Sequence, residues 1–222
     1  QIVRMPVPIQ DEQAVREAVD GADAVFNAIG LLFEPGGAQT FDEVHVNGPE
    51  RIARLAAETG VKRLIHVSAI GADTESESVY ARTKADGEAA ILKQFPQATL
   101  LRPSIVIGPE DGFLNFFAQM ARVSPALPLI GGGKTRFQPV YVGDVADAAM
   151  TAVHETKTKG KTYELGGPKV YTFKQLMELM LKEIRRKRLL LPIPFGVAQL
   201  QAGVAELLPK PLLTRDQVTL LK

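Results

Sequence analysis

The chain contains no cysteine and no tryptophan. The missing cysteine excludes disulfides, thiolate zinc sites and a thiol nucleophile. Histidine is scarce: His45, His66 and His154 stand alone, without the spacing of metal ligands, so no metal is expected. An excess of one charge is also lacking. With 26 basic and 25 acidic residues the net charge is +1, and the two signs are interspersed. Such a surface offers nucleic acid no electrostatic footprint, and no DNA or RNA partner is expected. No apolar run approaches the ~18 residues of a membrane-spanning helix. The opening Gln1-Ile-Val-Arg-Met5 lacks the layout of a signal peptide, so a soluble protein is expected.

What is present reads as alternating strand and helix. The 222 residues suit one large α/β domain with a small appendage. Gln1 to Pro8 reads as a strand. Asp11 to Asp20 reads as a helix capped by Asp11 and closed by Gly21, and Ala24 to Ile29 as a buried strand ending at Gly30. Thr40-Phe-Asp-Glu43 has the form of a capping box, opening a helix that runs through Ile52 and Leu55 to Gly60. A strand over 62–68 follows, then a helix to about Gln94, then a strand pattern over Ala98–Ile107. The alternation predicts a parallel, doubly wound α/β sheet. Past Gly108 the chain is richer in Gly and Pro, and it reads as a lobe of shorter elements. There Asp144 is expected to cap a helix, and Thr172-Phe-Lys-Gln175 and Thr214-Arg-Asp-Gln217 to form capping boxes. Gly131-Gly-Gly-Lys-Thr135 lacks the spacing of a phosphate loop and reads as a turn.

The most informative stretch is Tyr80-Ala-Arg-Thr-Lys84, just past the apolar run Leu64-Ile-His-Val-Ser68. Residues four apart share a helix face, so the Lys84 ammonium is expected beside the Tyr80 phenol. There its charge would draw the phenol below its usual value of about 10 and make it a proton donor near neutral pH.

The order Asn27-Ala-Ile-Gly30, Val46-Asn47-Gly48, His66-Val-Ser68, Tyr80-Ala-Arg-Thr-Lys84, Arg102-Pro-Ser-Ile-Val-Ile-Gly-Pro109 and Pro139-Val-Tyr-Val-Gly-Asp-Val-Ala146 resembles the extended short-chain dehydrogenases/reductases. Phe113-Leu-Asn115, Gln138-Pro-Val-Tyr141 and Leu213-Thr-Arg-Asp216 make it similar to the atypical branch, which holds the NAD(P)H-binding accessory subunit of respiratory complex I and its bacterial relatives. The resemblance implies a Rossmann-type portion over 1–108 and a substrate-side lobe over 109–222 with interleaved Rossmann elements. It implies NADP(H) or NAD(H) as cofactor, held by Asn27, Ala28, Ile29, Gly30, Val67, Tyr80, Lys84, Pro103 and Ser104. Lys84 would take the nicotinamide-ribose hydroxyls, Pro103 and Ser104 would face the carboxamide, and Asn47 would stand near the active site. The catalytic set would be Tyr80, Lys84 and Ser68. Complex I-type subunits would be partners, and the location would be cytoplasm or mitochondrial matrix, peripheral on the inner membrane.

Two departures qualify that resemblance. The glycine-rich fingerprint between a first strand and first helix is absent from the chain, so a preceding strand, helix and strand of about 45–65 residues are expected outside it. The substrate-binding hydroxyl past the strand at 62–68 would fall on Ala69 or Ser68. Ala69 cannot supply it, and a register one residue early turns Ser68 to the other face. Tyr80 and Lys84 would then serve as cofactor ligands with little catalysis. The alternative is a stand-alone NAD(P)H-dependent reductase or nucleotide-sugar epimerase using all three residues. Finally, the basic run Arg185-Arg-Lys-Arg188 precedes the apolar Leu189–Leu208 segment, a pairing suited to an anionic membrane surface or a partner subunit.

Overall fold

A computed structural model describes residues 6–208 and 211–222. The expected strand at Gln1–Pro8 lies partly outside them, and Pro6–Pro8 form no strand. The described chain falls into two compact units, one running to Pro103 and taking in Ala146–Glu164, the other made of Ser104–Val145 and Leu165–Lys222.

The first unit is built on a sheet of β1 (Ala24–Asn27), β2 (Arg63–Val67), β3 (Thr99–Pro103) and β8 (Thr162–Leu165), in that order. β1, β2 and β3 are parallel, with Asn27 opposite His66 and His66 opposite Leu100. α1 (Glu12–Val19) precedes β1, and α2 (Gly48–Glu58), α3 (Val79–Gln94) and α5 (Val142–His154) lie between successive strands. As expected, Asp11 caps α1, its carboxylate accepting from the Ala14 N–H. Val15, Val19, Ile52, Leu55, Leu64, Ile91 and Leu100 form the core between helices and sheet. Arg63, at the start of β2, donates to the Ala152 and Glu155 carbonyls and so closes the C-terminal end of α5.

Several local expectations need correction. Thr40 accepts from the Glu43 N–H at 3.1 Å, but the Glu43 carboxylate turns to Asn47 and Arg51 rather than back to Thr40, so only half of the capping box forms. The chain then enters a π-helical turn over Asp42–Asn47, and α2 continues from it. Asp144 is not a cap; it sits within the first turn of α5, where its charge still favours the helix N-terminus. The strand pattern over Ala98–Ile107 is two strands, β3 and β4 (Val106–Ile107), in separate sheets.

In the second unit β4 pairs in parallel with β7 (Val140–Tyr141), and β5 (Ala126–Ile130) with β10 (Leu189–Ile193). β6 (Arg136–Phe137) and β9 (Tyr171–Thr172) pair antiparallel. α4 (Leu114–Val123) and α6 (Phe173–Glu183) cover β5 with a cluster of Phe113, Phe117, Phe137 and Phe173 rings. Both expected capping boxes are present, at Thr172 on α6 and Thr214 on α8 (Arg215–Leu220). Gly131, Gly132 and Gly133 all have positive φ, 61°, 69° and 70°, a path that residues with a Cβ rarely take.

Helix α7 (Phe195–Ala205) is apolar on the wrong side. It turns Ala198 and Ala202 into the unit and leaves Leu200 73% and Val204 63% exposed, with Leu207 and Leu208 exposed just beyond.

Candidate functional site

Most of the expected site residues lie in the first unit, at the ends of its strands and on α3. Register places Asn27 opposite His66, so Ala28–Gly30 leave the sheet beside Val67 and Ser68. Asn27 is buried and Ala28, Ile29 and Gly30 are exposed, so this backbone is open to a ligand. The Asn27 side chain holds the turn: its Oδ1 accepts from the Ile29 N–H at 3.1 Å.

Helix α3 enters from below. Ser78 caps it by accepting from the Ala81 N–H, as a serine in extended backbone does. Tyr80 and Lys84 then lie one turn apart. Lys84 is only 3% exposed, and its ammonium donates to the Val67 carbonyl at 2.9 Å. Burial pushes its pKa down to about 8, against the opposing pull of Glu88. Glu88 continues the same helix face and is held by Arg102 through two bonds, Nε to Oε1 at 2.9 Å and Nη2 to Oε2 at 2.6 Å.

The Tyr80 phenol does not behave as the spacing suggests. Burial raises its pKa, so at neutral pH it is a protonated hydrogen-bond donor rather than a phenol poised to ionise. Lys84, itself pushed down to about 8, has lost most of its charge by the pH at which the phenol would ionise, so burial decides the direction.

His45, which lacks metal-ligand spacing in the sequence, is a central member. It is buried, meets the Tyr80 ring edge-on at 5.3 Å and stacks on Phe41 at 5.1 Å. Its Nε2 accepts from the Leu31 N–H at 3.0 Å, which places its proton on Nδ1, facing Thr83 Oγ1 at 3.0 Å. Its position three before Gly48 and seven before Ile52, on the buried side of the helix, is a periodic signal that could have found it. Glu88, four past Lys84, is legible in the same way. Gly87 makes the crossing possible, since a Cβ there would meet the His45 carbonyl oxygen at 1.8 Å.

Ser68 follows β2, and its N–H donates to the Leu101 carbonyl at 2.7 Å. Its Oγ, like His66 Nε2, is buried without a hydrogen-bond partner among the described residues. Pro103 ends β3 and accepts from the Ile70 N–H at 3.0 Å. Ser104 is the first residue of the second unit, where its N–H donates to the Leu165 carbonyl. Asn47 is exposed and donates to Glu43, so it is a helix-surface residue. Among the described residues no cluster of His, Asp or Glu could hold a metal.

A model of the NAD dependent epimerase/dehydratase family matches residues 4–166, most of the chain. The chain belongs to that family. Two relatives are similar over nearly its whole length. One is the mitochondrial NADH dehydrogenase [ubiquinone] 1 alpha subcomplex subunit 9 of Arabidopsis thaliana, 40% identical over 91% of this chain and 51% of its own. The other is the mitochondrial NADH-ubiquinone oxidoreductase 40 kDa subunit of Neurospora crassa, 33% identical over 98% of this chain and 57% of its own. The chain thus spans about half the length of these relatives. Among solved structures it is similar in fold to the dTDP-glucose 4,6-dehydratase DesIV of Streptomyces venezuelae, with a TM-score of 0.73 at 21% identity over 85% of this chain and 66% of that one. That likeness confirms the Rossmann-type fold expected from the alternation of elements. In this family setting the donor chemistry fits a dinucleotide: an ammonium carries three N–H donors, and the Val67 carbonyl takes one.

Proposed function

We propose that the chain is the dinucleotide-holding portion of an accessory or assembly subunit of a complex I-type NADH:ubiquinone oxidoreductase, with little catalysis of its own. The observation that carries this reading is the state of the Tyr80–Lys84 pair. Lys84 is buried and tied to Val67, beside the exposed Ala28–Gly30 backbone, while burial holds the Tyr80 phenol protonated. These are positions for gripping a ribose, not for cycling a proton. NADP(H) or NAD(H) supplies hydride chemistry when bound. The residues of this chain orient it: Lys84 through its remaining donors, Tyr80 through its hydroxyl, and Asn27–Gly30, Val67 and Pro103 through backbone at the strand ends. Ser104 is the proposed contact for the carboxamide.

The relatives' names support the complex I setting and a mitochondrial location, and the proposed compartment is the matrix or, in a bacterial setting, the cytoplasm. Isothermal titration of the full-length protein with NADH and NADPH tests the reading. Saturable binding without turnover of either cofactor is expected, and no binding to either would overturn it.

A second reading, a stand-alone reductase or nucleotide-sugar epimerase, draws on Ser68, in the same unit as Tyr80 and Lys84, whose buried Oγ has no hydrogen-bond partner among the described residues. Cofactor oxidation in the presence of a sugar nucleotide or carbonyl substrate would favour it.

The second unit extends the proposal to an anionic bilayer surface. Leu200, Val204, Leu207 and Leu208 form an apolar ridge. In the same unit Arg185, Arg186 and Lys187 are exposed, and Arg185 has φ of 54°, a strained value for a residue other than glycine. An apolar ridge with a basic run is the chemistry that seats a protein on acidic headgroups. No described helix is long and apolar enough to cross the membrane, so this contact would be peripheral.

A further inference from the structure

Two histidines of the first unit converge on the five residues that leave β1. From β2, His66 Nδ1 lies 3.1 Å from Asn27 Nδ2. Asn27 Oδ1 is already occupied by the Ile29 N–H, so the amide nitrogen faces the ring and donates to it. From the π-helical turn, His45 Nε2 accepts from the Leu31 N–H at 3.0 Å. One ring therefore fixes the entry of the Asn27–Leu31 turn and the other fixes its exit. Between these two bonds lie Ala28, Ile29 and Gly30, all exposed.

We propose that His45 and His66 act together as positioning residues, a pair of neutral acceptors that hold the Asn27–Leu31 backbone in the shape presented to the dinucleotide. The importance of that shape for binding rests on the function proposed above; the pinning itself does not. The geometry requires both rings to be uncharged, because protonation would convert each acceptor nitrogen into a donor aimed at a donor. The neighbouring charges favour the neutral form. Lys84 from α3 acts on both rings, and His66 also feels His45. Tyr80, from α3, covers His45 with its ring, and Glu88, the buried carboxylate of that helix, is engaged by Arg102. The π-helical turn makes the arrangement possible by carrying His45 against α3, where Gly87 lets its backbone pass.

The test separates the acceptor atom from the bulk of the ring. Asn places an oxygen near the position of Nδ1 and Gln near that of Nε2, whereas Leu fills the volume and accepts nothing. Amide hydrogen exchange of the full chain, followed residue by residue at neutral pH, reads the turn directly. In His45→Leu the Leu31 amide should exchange at least about tenfold faster than in wild type, and in His66→Leu the Ile29 amide should do so, with the β2 and α3 amides unchanged. His45→Gln and His66→Asn should restore most of the protection. Equal exchange in the Leu and amide variants, or acceleration spread evenly over β2 and α3, would overturn the proposal. If the Leu variants fail to fold, wild type decides the matter. Lowering the pH from 7 to 4, where His45 takes up its proton, should accelerate Leu31 relative to other buried amides, after correction for intrinsic rates, and uniform behaviour would overturn it. No dinucleotide enters this measurement. Failure of NADH to bind would therefore count against the proposed function alone, while the exchange pattern decides the histidines.

Discussion

Arg102 grips Glu88 with two bonds, of 2.9 and 2.6 Å, and Glu88 stands one helical turn beyond Lys84. The carboxylate is buried and paired with a partly exposed guanidinium, and it acts to raise the Lys84 pKa against burial. Arg102 thus acts on Lys84 at one remove.

Glu88→Gln should lower the Lys84 pKa further from about 8, read by nitrogen NMR of the side chain. It should also destabilise the protein by about 1–3 kcal/mol in urea, because Arg102 loses an ionised partner. An unchanged Lys84 titration would show that Glu88 serves packing alone.

Lys84→Met separates function from folding. A buried ammonium with a depressed pKa is a cost to stability, so an apolar residue of similar length should raise stability at pH 7 by about 1 kcal/mol. The same change should weaken NADH binding at least tenfold, about 1.4 kcal/mol. A destabilised variant with unchanged affinity would make Lys84 a structural tie to Val67. Tyr80→Phe, in contrast, should leave binding within about threefold of wild type if the hydroxyl adds only one modest hydrogen bond.

Acid should weaken the fold early. Burial first, and the Lys84 charge second, push His45 down to about 4 and His66 to about 3. Unfolded, each takes up its proton near 6.5. Between those limits the unfolded chain binds more protons, so this contribution is complete above pH 6.5 and is lost as pH falls towards 4 and then 3. Urea midpoints should decline from pH 6.5 to 5, with a slope approaching 1.4 kcal/mol per pH unit for each ring. A flat profile there would show that the rings accept protons without cost.

Gly87→Ala should reverse the usual preference. In an ordinary helix interior the change is worth about 1 kcal/mol in favour of alanine. Here the new Cβ would meet the His45 carbonyl oxygen at 1.8 Å, so a loss of more than about 2 kcal/mol is expected from denaturant melts.

Membrane docking is tested with vesicles containing acidic phospholipid. The full-length protein should co-sediment and should release as salt rises, because each basic contact contributes about 1 kcal/mol that screening removes. Changing Arg185, Arg186 and Lys187 to Gln should weaken sedimentation without lowering the melting temperature. Arg188 is left intact because its Nε donates to the Ala121 carbonyl at the end of α4. Earlier melting with unchanged sedimentation would assign the run to packing within its unit.

The sequence by itself determined the alternation of elements and most helix ends. Those signals are local: Asp11, Thr172 and Thr214 each satisfy a backbone N–H three residues away, and nothing distant is needed to make them do so. It also placed Tyr80 and Lys84 on one helix face, because helical spacing alone does that. The tertiary structure decided what those residues became. Whether a phenol is lowered by a nearby charge or raised by burial depends on how much water the packing removes. Here the helices and the end of β2 remove enough for desolvation to win. The π-helical turn that carries His45 onto Tyr80, the glycine that lets it pass and the bond from Leu31 to its ring all join residues far apart in the chain. Thr40-Phe-Asp-Glu43 shows the boundary between the two. Its threonine caps as the local pattern says, while its glutamate is drawn away by Arg51, an interaction that exists only once the helix beyond it has formed.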